Sequence, residues 1–183
     1  MTDTRNNLSS PPGAGWWRRL LSFIYEMLLT GAVILVLSGV YQGLFQLLTG
    51  QGVTALSGNV LAQALHFVWL FVLTGAYFIF CWNRSGQTLA MKTWRLQLDN
   101  RHGGRPALRQ SIIRFVVASL CYVPALPCWL LARHAPQWLP LAWIASGLVV
   151  LPWLWAWLRT DRQLLQDSIA GTCITQKAAK PKA

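Results

Sequence analysis

Four long stretches of apolar residues, at about 20–48, 60–82, 112–132 and 138–158, divide the chain. At 1.5 Å per residue, about 20 apolar residues cross a ~30 Å hydrocarbon layer, so each stretch reads as a transmembrane helix. The first is opened by Trp16, Trp17, Arg18 and Arg19 and interrupted by one acid, Glu26. A secretory leader is the rival reading of this start. The apolar run is about twice the length of a leader core, and no A-x-A-like site follows it. The third stretch contains Pro124 and Pro127, which predicts a kink or a break. The fourth has Pro140 near its start and Pro152 inside, and Trp138, Trp143, Trp153, Trp155 and Trp157 crowd its two ends as an aromatic belt would.

The polar segments are shorter and more varied. Residues 1–15 are polar, carry Pro11 and Pro12 and show no apolar period, which predicts a disordered lead. Thr49 to Asn59 is Gly- and Ser-rich and uncharged, as suits a short connecting loop. In the middle segment, Ser85 to Thr88 reads as a turn and helix start, and Thr88 to Trp94 as a short amphipathic interfacial helix. Trp94 to Asp99 then alternates, with Leu96 and Leu98 on one face, which predicts a short strand ending in a turn at Asn100 to Gly104. A lone strand is marginal in water, so a partner is required, and the β-branched segment Thr172 to Gln176 is the best candidate. The expected fold class is therefore an all-α membrane protein with four transmembrane helices, a short interfacial helix and a small cytoplasmic β-pair. Its parts are a lead at 1–15, a transmembrane domain at 16–176 and a basic tail at 177–183.

Composition agrees with this pattern: 54% of residues are hydrophobic and 11% charged. A formal charge of +11 would suggest nucleic acid for a soluble protein. Here the basic residues sit in the gaps between apolar runs, where anionic headgroups and insertion bias account for them, so the expected partner is the bilayer and not nucleic acid. Seven of them, Arg84, Lys92, Arg95, Arg101, Arg105, Arg109 and Arg114, fall in residues 83–114, from the end of the second span to the opening of the third. With four spans, fifteen of the sixteen basic residues lie on the side of the N-terminus, the middle loop and the tail, and only Arg133 lies opposite. The positive-inside bias then predicts a multi-pass inner-membrane protein with both termini cytoplasmic.

Ionisable residues in apolar spans are the candidates for chemistry. Glu26 follows Arg19 by two helical turns on one face and reads either as a protonatable or cation-binding group or as a pin that fixes helix packing. Arg114 and Asp167 both lie near the boundary and are placed to clamp the tail against the bundle. His66, alone in the second span, predicts a helix-to-helix hydrogen bond. Cys81, Cys121, Cys128 and Cys173 form no CxxC and have no histidines at metal spacing, so they read as small hydrophobes; Cys121 and Cys128 share a helix face, but a disulfide between positions seven apart on one helix is out of reach. Neither a metal nor any cofactor is expected. Hydrolase, metalloprotease and nucleotide-loop motifs are missing from the sequence, which argues against an enzyme.

Three spaced blocks resemble the RDD family of bacterial membrane proteins, named for one arginine and two aspartates. They are Arg19 to Glu26; Gly86 to Lys92 with Gly103 to Pro106 and Arg114; and Arg162 to Asp167 with Ala170-Gly171-Thr172. The resemblance runs from about Trp16 to Thr175. Glu26 stands where the family has Asp, Ala90 replaces Gly, and Gln166 replaces His. The resemblance implies a multi-span membrane protein, with transport of ions or small ligands the common proposal. On that reading Arg19, Glu26, Arg114 and Asp167 form a polar cluster near the cytoplasmic side, Glu26 holds or relays the ion, and a permeation path needs a homo-oligomer or another membrane protein. The alternative is a non-catalytic assembly or interaction factor. A shared water-accessible cavity at the four residues would favour transport, and a dry, closed cluster would favour the alternative.

Overall fold

In hydrocarbon a backbone must satisfy its own polar groups, so the apolar stretches become helices. The computed structural model describes residues 16–50, 58–159 and 163–176. The expected disordered lead, the middle of the first loop, Arg162 and the basic tail at 177–183 lie outside the described residues.

Helix α1 runs Trp16–Thr49 and α2 Val60–Ser85. The start of α2 is set by Asn59, whose side chain accepts from the Ala62 amide at 3.1 Å. Its end is set by Gly86, at φ 68°, whose N–H bonds back to Trp82. There follow the short α3, Leu89–Thr93, and strand β1, Leu96–Asn100. The third span is broken: α4, Leu108–Tyr122, stops at Val123-Pro124 and α5, Ala125–His134, continues. Pro124 cannot donate the hydrogen bond that would carry α4 onward, and neither piece alone crosses ~30 Å. Cys121 and Cys128 lie on either side of the break, in α4 and α5. A single 3₁₀ turn, Pro136–Trp138, leads into α6, Leu139–Leu158, and the chain ends in α7, Leu165–Ala170, and β2, Thr172–Gln176.

Among the described residues four segments are long and apolar enough to cross a membrane: Trp17–Thr49, Val60–Ser85, Leu108–His134 and Pro136–Leu158. Their apolar side chains point outward: Leu35 is 75% exposed and Leu47 83%. Between the helices the buried positions are small, including Ala62, Gly75, Ala142, Ala145 and Ala156. Such residues let backbones approach in lipid, where apolar burial gives no net drive. Gly75 shows this best, since a Cβ there would stand 2.9 Å from the Phe115 ring.

The apolar core sits at one end of the bundle, beneath the sheet. Strands β1 and β2 pair antiparallel with Leu98 opposite Ile174. Leu96, Leu98 and Ile174 pack onto Trp82 and Met91, with Phe78, Trp94 and Phe115 around them. The strand predicted from alternation is therefore present with its predicted partner, but it starts two residues later. Trp94 and Arg95 form a turn, and Arg95 takes φ 53°. Two strands alone are marginal, and this pair is stabilised because both of its edges are covered. On the β1 edge, Leu98 N–H donates to the Gly86 carbonyl at 2.7 Å and the Gln87 amide donates to the Leu96 carbonyl. On the β2 edge, Ile174 N–H donates to Gln163 Oε1 at 3.1 Å and the Ile174 carbonyl accepts from Arg19 at 3.2 Å. Gly86 is needed twice here: for its positive φ, and because a Cβ would stand 2.8 Å from the Leu98 carbonyl oxygen.

Candidate functional site

The buried face of α1 is polar. Arg19, Ser22 and Glu26 are its buried positions near the sheet end, while Leu21, Ile24, Met27 and Leu28 are exposed. The spacing of three and four residues puts the polar three on one stripe, turned toward the other elements of this end.

Glu26 meets Thr88. The Thr88 hydroxyl accepts from Met91 N–H as the cap of α3, which leaves its own proton to donate to Glu26 Oε2. Glu26 Oε1 has no hydrogen-bond partner among the described residues. Arg114, on α4, forms a buried ion pair with Asp167 on α7. Its guanidinium also lies 4.9 Å from the centre of the Trp82 ring and feels the charges of Glu26 and Arg19. The four residues singled out in the sequence thus lie at one end of the bundle: Arg114 and Asp167 are in contact, and the charges of Glu26 and Arg19 act on Arg114. All are buried: Arg19 is 5% exposed, Glu26 9%, Arg114 7% and Asp167 0%. Two cations face two anions, so the cluster is formally neutral.

Sequence reasoning missed the neutral groups that complete this end. Thr88 was legible only as a helix start. Gln87 and Gln163 cover the two sheet edges, and Gln166, in the place of the family histidine, is buried. Gln110 ties three elements together: its amide donates to Asn100 Oδ1 and to the Gly171 carbonyl, both at 3.3 Å, and its carbonyl caps Ala107 N–H. Neutral polar residues beside a basic loop look solvated in sequence, and no local signal marked them.

Other candidates lie apart from the cluster. His66 Nε2 is 3.2 Å from Ser38 Oγ and its ring stacks on Tyr41 at 4.6 Å, so it joins α2 to α1 well away from the sheet. The four cysteines are free. Cys173, in β2, is outside the spans; burial pushes its thiol up and Asp99 adds to the shift, against Arg101 and Arg19. It is therefore protonated at neutral pH and is neither a ready nucleophile nor a ready metal ligand. Among the described residues no group of three or more His, Cys, Asp or Glu is placed to hold a metal. Among the glycines of the spans, a Cβ at Gly75 would meet the Phe115 ring, whereas a Cβ at Gly31, Gly39, Gly43 or Gly147 would meet nothing within 4 Å.

Four apolar helices with outward-facing side chains, closed at one end by a small sheet over a polar cluster, define a multi-pass membrane protein. The RDD family model matches residues 13–171. The chain belongs to the RDD family. Searches of curated proteins and of solved structures found no match.

Proposed function

We infer that this protein is a non-catalytic membrane assembly or interaction factor, in which the polar cluster locks the sheet end to the bundle and the helices dock against another membrane subunit. The reading includes an inner-membrane location, both termini and the sheet end on the cytoplasmic side, and anionic headgroups rather than nucleic acid around the basic loop. Closure and charge balance count against the cluster as an ion site. A cation entering it would have to break a pair that is already neutral and buried.

The observation that carries the docking reading is the outward face of α1. Gly39 and Gly43, four apart, stand on one stripe with open space beyond both Cβ positions. Such a pair lets a second transmembrane helix approach at backbone distance. Because nothing among the described residues fills that space, Gly39→Leu with Gly43→Leu is expected to leave the fold intact and to remove the partner, a second copy or a different membrane protein. Co-purification in mild detergent and cross-linking in membranes measure this. Unchanged association in the double variant would end the docking reading.

One observation favours transport of ions or small ligands as a second reading: Glu26 Oε1, a buried carboxylate oxygen at the sheet end of the bundle without a hydrogen bond among the described residues. Glu26→Gln keeps an acceptor for Thr88 and removes the charge. Under the docking reading, cation-linked proton flux in proteoliposomes is expected to be the same for wild type and variant. A flux lost only in Glu26→Gln would put transport in its place.

A further inference from the structure

Next to the closed cluster lies an open cavity of about 630 Å³, at the end of α2 and against α3. Arg84, Lys92 and Arg105 line it, with Tyr77, Phe80 and Leu89, and none of its lining residues is acidic. The three cations come from three different places: the last turn of α2, the last turn of α3 and the bend before α4. They make no ion pair among the described residues, whereas the neutral polar groups of the same wall are already engaged. Ser85 donates to the Cys81 or Gln87 carbonyl, and the Gln87 amide donates to Leu96. Thr88, adjacent in sequence to the lining residues Gln87 and Leu89, is bonded to Glu26, whose charge is in turn opposed by Arg114. Like charges gathered around an open space repel one another, and an anion there relieves the repulsion.

The cavity is amphipathic as well as basic. Phe80, one turn before Arg84, is 60% exposed and Leu89 52% exposed, while the Arg84 guanidinium lies 5.6 Å from the Phe80 ring centre. Arg84 closes a span, so the cations stand at the depth of headgroups and Phe80 faces hydrocarbon. Guanidinium groups bind phosphate oxygens in a bidentate fork, and an ammonium adds a point charge.

We propose that this cavity binds the phosphate ester of an anionic amphiphile, with the phosphate on Arg84, Lys92 and Arg105 and an acyl chain laid over Phe80 and Leu89. The proposal does not depend on whether the bundle docks or conducts. The same phosphate chemistry could be supplied by a phospholipid or by a soluble phosphate, and Phe80 separates the two, since only a lipid uses it.

The test uses the full chain in nanodiscs, with native mass spectrometry counting phosphatidylglycerol retained per chain against phosphatidylcholine. The variant Arg84→Ala/Lys92→Ala/Arg105→Ala is compared with Arg18→Ala/Arg101→Ala/Arg109→Ala, which removes the same charge from exposed positions outside the cavity. The cavity variant is expected to lose phosphatidylglycerol affinity on the order of a hundredfold, from about a few-fold per interfacial cation, and the other variant to keep it. Phe80→Ala should weaken phosphatidylglycerol and leave binding of inorganic phosphate or glycerol phosphate unchanged. Binding of the soluble phosphates alone, lost in the cavity variant, would keep the phosphate site and assign it a soluble ligand in place of the lipid. Equal losses in the two triple variants, or equal retention of phosphatidylcholine, would overturn the proposal. Both variants change exposed side chains, and a shared thermal midpoint checks that each is folded.

Discussion

Asp167→Ala is expected to destabilise the protein by about 3 to 5 kcal/mol, the usual result of removing one partner from a buried ion pair. Asp167 is fully buried, and without it the Arg114 guanidinium stays sealed between Trp82 and the bundle with no anion in contact. Nearby Glu26 offsets part of the loss through its field, but it is hydrogen-bonded to Thr88 and does not replace the contact. The thermal midpoint in detergent, followed by tryptophan fluorescence, measures the effect. The paired change Arg114→Met/Asp167→Leu is expected to be less harmful than either single change, because it removes both charges and fills the space. Simple additivity of the two single changes would show that the pair does not act as a unit, and the clamp between α4 and α7 would then have to be abandoned.

Leu98→Pro is expected to cost a similar amount, about 3 to 5 kcal/mol. Two losses add: the Gly86 carbonyl is left without its donor, and a fully buried leucine is exchanged for a smaller, rigid ring. The volume-conserving Leu98→Ile, which keeps the N–H, should cost less than about 1.5 kcal/mol. Size-exclusion profile and thermal midpoint distinguish the two. A monodisperse Leu98→Pro protein with a wild-type midpoint would mean that the sheet is an ornament and not part of the cooperative fold.

These two changes act on one design. The sheet end is held by groups that come from distant parts of the chain: Arg19 from the first helix, Gly86 and Gln87 from the end of the second, Gln163 and Asp167 from the last segment. In lipid the helices gain little from apolar contact with one another, so directional polar contacts at the boundary carry much of the specificity of the packing. This explains why a chain so rich in apolar residues has a buried set that is polar at one end and made of small residues along the spans.

The sequence alone determined what is local. Span number follows from apolar length, the break in the third span from Pro124, and β1 from the alternation ending at Asp99. Even the long-range pairing of β1 with β2 was legible, because a lone strand needs a partner and the chain offers one other β-branched segment at the right end. Tertiary structure alone decided which groups complete the cluster. That Glu26 bonds to Thr88, 62 positions away, that glutamines cover both sheet edges, and that Gly39 and Gly43 face outward while Gly75 faces Phe115 all depend on how helices rotate about their axes. The physical reason is that hydropathy sets whether a segment enters the membrane but is nearly the same all round such a helix, so its rotation is left to contacts that exist only once the bundle has formed.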